Sequence, residues 1–183
     1  MNRRLYFFYL ASILLLFSIT GCSAKNGKDN LVKTTVQEFD INKYLGQWYE
    51  IGRFPHSFEK DLVGVTATYV LKEDGKIEVI NQGFLKTLNG ELKIAKGKAK
   101  LTDEIGKLKV SFFLFFYAEY NILELDGKEY QWALVGSSTP GYLWILSRKP
   151  EMPDELYQVI LNKAKARGYD ISGIYKVPQK EGQ

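Results

Sequence analysis

The sequence predicts an all-β domain with one C-terminal α-helix, arranged as an eight-stranded antiparallel up-and-down β-barrel. Segments of alternating or β-rich residues recur about every ten residues, which is typical of antiparallel sandwiches and barrels. Asp74-Gly75 and Asp126-Gly127 stand between such segments and suit hairpin turns. A single helical pattern follows the last segment. Because no second composition regime or internal repeat divides the chain, we expect one domain.

The predicted strands are followed by connections of two kinds. Those at one end of the barrel are short and charged, whereas those at the other end are longer and apolar. Alternate connections of an up-and-down barrel lie at the same end, so we expect a closed base and an apolar rim. The eight predicted strands are Trp48–Arg53, Val63–Leu71, Ile77–Gln82, Leu92–Leu101, Lys107–Phe113, Tyr117–Leu125, Tyr130–Gly136 and Tyr142–Ser147.

A helix is predicted from Pro153 to Arg167, where the apolar residues fall at helical spacing. Pro153 suits the first turn, and Gly168 suits the position after the helix end. The helix is amphipathic and needs an apolar surface. The segment Trp132–Val135 is apolar on both faces, so one face can meet the helix while the other faces a core or cavity. A further short strand is predicted over Ile171–Val177.

The first residues have the pattern of a secretory leader. Arg3 and Arg4 precede an uncharged stretch, Leu5–Ile19, that is shorter than the roughly 20 apolar residues of a membrane span. The stretch ends at Gly21-Cys22, which resembles a bacterial lipobox and implies that Cys22 is lipidated after cleavage. A buried free cysteine is the alternative reading of Cys22.

The chain is therefore predicted to have four parts. Residues 1–21 form the signal peptide, and residues 22–37 form the lipidated cysteine and a flexible tether. Residues 38–178 form the barrel and its helix, followed by a tail over residues 179–183. Ser23 follows the cysteine in place of the Asp that retains lipoproteins at the inner membrane. This resembles the sorting pattern for lipid anchoring on the periplasmic face of the outer membrane.

Composition excludes several classes of function. The 183 residues are 45% hydrophobic and 25% charged, with a net charge of +4 and no long run of like charge, so nucleic-acid binding is not expected. One Cys and one His exclude a disulfide framework and a Cys/His zinc cluster. No metal or other cofactor is predicted.

An eight-stranded barrel can bind a ligand inside only if its own side chains do not fill the interior. Ala95, Gly97 and Ala99 share one face of a predicted strand, and a wall of such small side chains leaves volume inside. The alternative is that small residues allow a plug or a second sheet to pack closely. At the apolar rim, the run Phe113–Phe116 is expected to be exposed; alternatively, it is a buried strand and its turn.

Two short motifs carry a family resemblance. Gly46-Gln47-Trp48 enters the first predicted strand, and Leu146-Ser147-Arg148 leaves the eighth. Both resemble signatures of the lipocalin family, especially its bacterial outer-membrane and apolipoprotein D-like members, over roughly Phe39 to Val177. The resemblance implies structural roles for Gly46, Trp48 and Arg148, with the indole sealing the base and the guanidinium across its ring. A third signature, near Asp126 and Tyr130, is degraded.

The resemblance also implies which residues face a ligand cavity. With the family's inward register, the lining is Val65, Ala67, Tyr69, Ile77, Val79, Asn81, Ala95, Gly97, Ala99, Val110, Phe112, Tyr120, Ile122, Ala133, Tyr142 and Trp144. These aliphatic and aromatic walls suit an acyl chain. The head group is expected at the wide end, where the candidates are Arg53, His56, Lys86 and the hydroxyls of Tyr69 and Tyr142.

The predicted function is binding or carriage of a fatty acid or lysophospholipid at the outer membrane. The main alternative is an interaction module whose apolar rim docks on a partner or pairs two copies as a homodimer. An enzyme is disfavoured because His56, the single imidazole, has no evident Ser or Cys nucleophile. Glu50, Glu119 and Glu124 are expected on solvated faces.

Overall fold

The computed structural model describes residues 31–180, in which eight antiparallel strands close into a barrel. Each strand pairs with the next, and β1 pairs with both β2 and β8, which closes the sheet. This confirms the predicted class. The strands are β1 (Gly46–Arg53), β2 (Leu62–Leu71), β3 (Ile77–Leu85), β4 (Leu92–Leu101), β5 (Lys107–Phe113), β6 (Phe116–Leu125), β7 (Trp132–Gly136) and β8 (Leu143–Ser147).

Elements outside the barrel strands differ in part from the prediction. Helix α2 spans Asp154–Ala166, close to the predicted bounds. A short helix α1, Ile41–Tyr44, precedes β1 and was not expected. The predicted strand over Ile171–Val177 is reduced to β9, Tyr175–Lys176, because the Asp170 carboxylate accepts a hydrogen bond from the Ser172 amide and holds a turn of 3₁₀ helix there.

Two apolar cores lie on opposite sides of the barrel wall. The inner core fills the base of the barrel, and the outer core lies between the wall and α2. Strand β7 contributes to both cores: Leu134 faces the helix, while Ala133 and Val135 face inward. The prediction that this strand is apolar on both faces is confirmed. Buried Tyr157 and Ile160 bring the apolar face of α2 onto this wall.

The segment that leads into the barrel is bonded to the end of α2 and to β6. The Val32 amide donates to the Arg167 carbonyl at 2.9 Å, and the Val36 amide donates to the Ile122 carbonyl at 3.0 Å. The Arg167 guanidinium donates to the carbonyls of Val32 and Thr34 and forms an ion pair with Glu124 at 2.8 Å. One arginine at the end of α2 thus joins the helix, β6 and the entering segment.

The wall is incomplete between β4 and β5. These strands pair only from Lys98 to Leu101 with Leu108 to Ser111, so the first half of β4 pairs with β3 alone. At Gly97 a Cβ would lie 2.6 Å from the Ser111 carbonyl oxygen and 2.8 Å from the Phe112 ring, so only glycine fits beside that ring. Within residues 31–180, no helix is long and apolar enough to cross a bilayer.

Candidate functional site

A cavity of about 350 Å³ lies inside the barrel and reaches its mouth, the end formed by the β1–β2, β3–β4, β5–β6 and β7–β8 loops. Phe58 and Glu59 of the β1–β2 loop and Thr139 of the β7–β8 loop form its outer wall. Inward-facing strand residues form the deeper wall. Ligand pockets in proteins commonly measure about 300 to 1,000 Å³, so this cavity has room for one slender ligand.

Many of the residues predicted to line a cavity do line this one. That any of them contacts a ligand stays a prediction. The predicted residues on the cavity wall are Ala67, Tyr69, Val79, Asn81, Val110, Phe112, Tyr120, Tyr142 and Trp144.

The remaining predicted lining residues lie elsewhere. Val65 is buried and would touch a side chain placed at Gly83. Ala95 is exposed, and Gly97 lies in a surface cleft between β4 and β5, next to Phe112. The others belong to the packed core beneath the cavity: Ile77, Ala99, Ile122 and Ala133.

Aromatic side chains fill the base of the barrel below the cavity. Tyr44 from α1 and Trp48 from β1 are fully buried, and their ring centroids are 4.8 Å apart. The hydroxyls of Tyr44 and Tyr120 lie 2.7 Å apart, and the Tyr69 hydroxyl donates to Tyr120 at 2.8 Å. Burial raises the pKa of all three tyrosines. The hydroxyls satisfy one another, so the cavity floor is uncharged.

Trp48 and Arg148 form the outermost layer of the base. The guanidinium carbon of Arg148 lies 3.8 Å from the centroid of the Trp48 ring, a cation–π contact. Arg148 also donates to the carbonyls of Gln47 at 2.8 Å and Lys43 at 2.7 Å. Gly46 has φ of +88°, a conformation that favours glycine, as β1 begins. The donors of Arg148 thus bind backbone carbonyls, which hold the guanidinium over the indole.

A buried ionic network lies on the wall near the mouth. Arg53 is 3% exposed and donates to the Glu50 carboxylate and to the carbonyls of Glu59 and Leu62. The Glu59 carboxylate accepts a hydrogen bond from Trp144 Nε1 at 3.2 Å and lies 3.9 Å from Arg53 Nε. Two carboxylates thus share one guanidinium at the side of an apolar cavity.

Burial determines how this network titrates. Desolvation raises the pKa of Glu50 to about 8, and the nearby charge of Glu59 adds to the rise against the opposing effect of Arg53. Desolvation also raises the pKa of Glu59. Desolvation and Arg53 lower the pKa of His56 to about 4. At neutral pH the network therefore holds a proton on Glu50, and the imidazole is uncharged.

The expectation that Glu50 and Glu119 lie on solvated faces was wrong. Glu50 is only 4% exposed, and both Glu50 and Glu119 line the cavity instead of lying on solvated faces. Glu50 stands two residues after Trp48 in β1, so strand alternation was the available signal. The lining residues that the sequence reasoning missed are Glu50, Phe58, Glu59, Ala118, Glu119, Ser137, Ser138, Thr139 and Leu146.

The head-group candidates also occupy distinct places. Tyr142 lines the cavity, but the hydroxyl of Tyr69 and the donors of Arg53 are engaged within the protein. Lys86 is exposed and has φ of 65° in the β3–β4 loop. The His56 ring stacks against the ring of Phe58, with centroids 4.4 Å apart, and against that of Tyr142, with centroids 5.1 Å apart. Residues 31–180 contain no group of three side chains suited to a metal.

The β5–β6 turn at the mouth is strongly exposed. We call Phe113–Phe116 the rim hairpin: its residues are 67%, 62%, 85% and 75% exposed in chain order. The alternative of a buried strand and turn was therefore wrong. Monomeric soluble proteins rarely leave so continuous an apolar surface to water.

Comparison with known proteins identifies the family. Residues 39–179 match the family model described as a lipocalin-like domain. The chain is a lipocalin. Outer membrane lipoprotein Blc of Escherichia coli strain K12 is 42% identical over 172 residues, which are 93% of this chain and 95% of that protein. Apolipoprotein D of Mus musculus is 38% identical over 177 residues, with 89% of each chain covered.

These comparisons confirm the predicted family and the predicted location at the outer membrane. Lipocalins are generally binding or transport proteins. A solved structure of insecticyanin from the tobacco hornworm Manduca sexta has a TM-score of 0.66 at 20% identity, covering 82% of this chain and 86% of that one, which shows a shared fold. Cys22 and the signal peptide lie outside the described residues and stay predictions.

Proposed function

We propose that this lipocalin binds a single-chain lipid, such as a fatty acid or lysophospholipid, inside its barrel at the outer membrane. The observation that carries the proposal is a largely apolar cavity of about 350 Å³, open at the mouth and closed below by Tyr44 and Trp48. The volume is near the lower end of ligand pockets, which favours one acyl chain over two. Cys22, as the predicted lipid anchor, would hold the mouth close to its source of ligand.

Burial of the chain supplies the driving force. Each methylene removed from water contributes about 0.8 kcal/mol, so a dozen methylenes contribute roughly 10 kcal/mol before the costs of association. Those costs take a large part of the gain. Micromolar affinity is therefore within reach without any strong polar contact, which fits walls formed by residues such as Val79, Val110 and Leu146.

Ala67→Trp tests the proposal directly. Ala67 lines the cavity in the middle of β2, so an indole at this position would occupy the space meant for the acyl chain. We expect the affinity for a fluorescent fatty acid to fall at least about tenfold, equivalent to about 1.4 kcal/mol. Titration of the probe, followed by its emission, measures the change.

Ala166→Trp is the matched control, because Ala166 is exposed at the end of α2 and the same indole there meets solvent. Its probe affinity should equal that of the wild type. Equal affinity for the Ala67→Trp variant, with an unchanged circular dichroism spectrum, would contradict binding in the cavity.

A second function is favoured by the rim hairpin: docking of the mouth on a membrane surface. Four consecutive apolar residues project from the mouth, and basic side chains flank them. Lys98 Nζ lies 5.8 Å from the centroid of the Phe115 ring, and Lys100 Nζ lies 4.6 Å from that of Tyr117. Aromatic tips beside lysines suit the interface of an anionic bilayer.

Replacing Phe113, Phe115 and Phe116 by serine tests this docking. With a form of the protein that begins at Ser23, we expect the partition coefficient onto phosphatidylglycerol vesicles to fall at least about tenfold, since each buried Phe contributes about 1.5 to 3 kcal/mol. Cosedimentation measures the bound fraction. The control is Leu101→Ser with Ile105→Ser, two exposed apolar residues at the opposite end.

Two results would contradict membrane docking. One is vesicle binding that does not change in the triple variant. The other is a loss of dimer in the triple variant, seen by analytical ultracentrifugation without vesicles, which would identify the rim hairpin as a self-association surface instead.

A further inference from the structure

The carboxyl groups on the cavity wall have no cationic side chain beside them among the lining residues that the structure describes. Glu50, Glu59 and Glu119 line the cavity, and among the described lining residues there is no Lys or Arg. Glu50 is 4% and Glu59 is 6% exposed, so water screens these two carboxylates weakly. An anion that enters the cavity would therefore meet carboxylates and no lining cation.

Arg53 does not compensate for this. Its Nη1 donates to Glu50, and its Nη2 donates to the carbonyls of Glu59 at 2.8 Å and Leu62 at 3.0 Å. The guanidinium also lies over the ring of Tyr175, 5.3 Å from the centroid. With three hydrogen bonds inside the protein and only 3% of its surface exposed, Arg53 is a structural partner of the two glutamates.

Aromatic rings surround the same wall. Trp144 binds Glu59 through its indole N–H, and its ring centroid lies 5.9 Å from that of Tyr142. Phe58 stacks at 6.3 Å from Tyr142, and all three rings line the cavity. The faces of aromatic rings attract cations, and a positive group within about 6 Å of a ring gains free energy most strongly when it is desolvated.

Two side chains near the cavity have buried polar atoms without a hydrogen-bond partner. The His56 side chain is 8% exposed and neither ring nitrogen makes a hydrogen bond, although Nδ1 lies 3.3 Å from Glu59 Oε2. Asn81, which lines the cavity, has a buried side-chain oxygen without a partner. Buried polar atoms are usually paired, so the Asn81 oxygen on the cavity wall is available to a polar part of a ligand.

We propose that the wall formed by Glu50, Glu59, Tyr142 and Trp144 is a subsite for a positively charged nitrogen head group. The cavity would then prefer single-chain amphiphiles that carry an ammonium group to those that end in a carboxylate. This inference rests on the proposed function, because it assigns the head group of a ligand whose chain occupies the barrel.

The titration of the wall is consistent with this assignment. Without a ligand, Glu50 keeps its proton because burial disfavours its charged form and the nearby charge of Glu59 adds to this effect. A bound cation supplies the second positive charge, so Glu50 can ionise and the wall becomes balanced at two charges of each sign. A carboxylate ligand instead adds a negative charge beside Glu59, whose charge already balances that of Arg53, and its burial is penalised.

Three ligands with the same decyl chain test the inference on the full protein: decyltrimethylammonium, decanol and decanoate. Isothermal titration below the micellar concentration measures each affinity. We expect the ammonium compound to bind at least about tenfold more tightly than decanoate, with decanol between them. Decanoate binding as tightly as or more tightly than the ammonium compound would overturn the inference.

The Glu50→Gln, Glu59→Gln variant assigns any preference to the two carboxylates. The amides keep the size of the side chains, and we expect ammonium affinity to fall about tenfold while decanol affinity is unchanged. Glu78→Gln, which removes the same charge from the outside of β3 where Glu78 pairs with Lys72, should have no effect. A fall of equal size for all three ligands would overturn the assignment.

If the double variant does not fold, the order of the three ligand affinities measured with the wild-type protein still tests the inference. Failure of the proposed function has a different signature from failure of this inference. If none of the three ligands binds, both fail. If all bind and Ala67→Trp weakens them equally, but the ammonium compound has no advantage, only the head-group assignment fails.

Discussion

Trp48→Ala is expected to lower the free energy of unfolding by about 3 to 5 kcal/mol, the usual cost of truncating a large buried aromatic side chain. Trp48 is fully buried in the base of the barrel. The substitution leaves a cavity under Tyr44, removes the hydrogen bond from the indole N–H to the Tyr44 carbonyl, and leaves Arg148 without the ring it covers. Urea denaturation followed by far-ultraviolet circular dichroism measures the loss.

Trp132→Ala provides the comparison, because Trp132 is a half-buried indole that packs on the outer core. Its loss of stability should be clearly smaller. A cost below about 1 kcal/mol for Trp48→Ala would contradict the view that the indole is the main structural element of the base, since it would fall well below the range for buried aromatic residues.

The second large effect is a pH dependence of stability controlled by Glu50. Its pKa is raised to about 8 in the folded protein from an ordinary value of 4.5. Because the folded state prefers the protonated form, the associated stability is fully present below about pH 4.5 and is lost as the pH rises towards 8. The raised pKa of Glu59 acts in the same direction. The loss is on the order of a few kcal/mol.

Glu50→Gln should flatten this alkaline side of the profile, since the amide mimics the protonated carboxyl and does not titrate. The urea midpoint of the wild type should fall between pH 5 and pH 9, while that of the variant should fall much less. His56 has the opposite effect. Its pKa is lowered to about 4, so stability is lost as the pH falls from 6.5 towards 4. Parallel wild-type and variant profiles above pH 5 would contradict the raised pKa of Glu50.

Much of the fold could be predicted because barrel strands carry local signals. Turn residues and alternation located the eight strands to within a few residues, and the two apolar faces of β7 correctly anticipated an inner and an outer core. Helix α1 was missed because four residues give no periodic pattern. Its position depends on Asp40, whose carboxylate accepts from the Asn42 amide, and on Tyr44, which enters the barrel.

Alternation along a strand specifies which face a residue occupies but not how deep it lies. This is why Ala67 and Tyr69 reach the cavity whereas Ile77 and Ile122, which the family resemblance assigned to the same inward face, lie in the packed base. The depth of the cavity floor is set by Tyr44, which comes from an element outside the barrel strands.

The acidic wall was harder to predict, because it is assembled from two sources. Alternation places Glu50 on the same face as Trp48, but Glu59 reaches the cavity only because the β1–β2 loop folds over the mouth. Arg53, three residues after Glu50 in β1, lowers the cost of burying the two glutamates because it forms an ion pair with Glu50. A glutamate on a strand is usually solvated, and only the three-dimensional pairing overrides that rule.

The contacts of Arg167 bear on how the protein responds to mechanical load. If Cys22 is fixed in a bilayer, any pull on the domain enters through the segment from Val32 to Val36, which lies along α2 and β6. The hydrogen bonds of this segment reach both the end of α2 and β6, so several of them resist a pulling force together. A force transmitted through the tether would therefore be shared between α2 and β6 before it reaches β1 and the buried pair of Glu50 and Arg53.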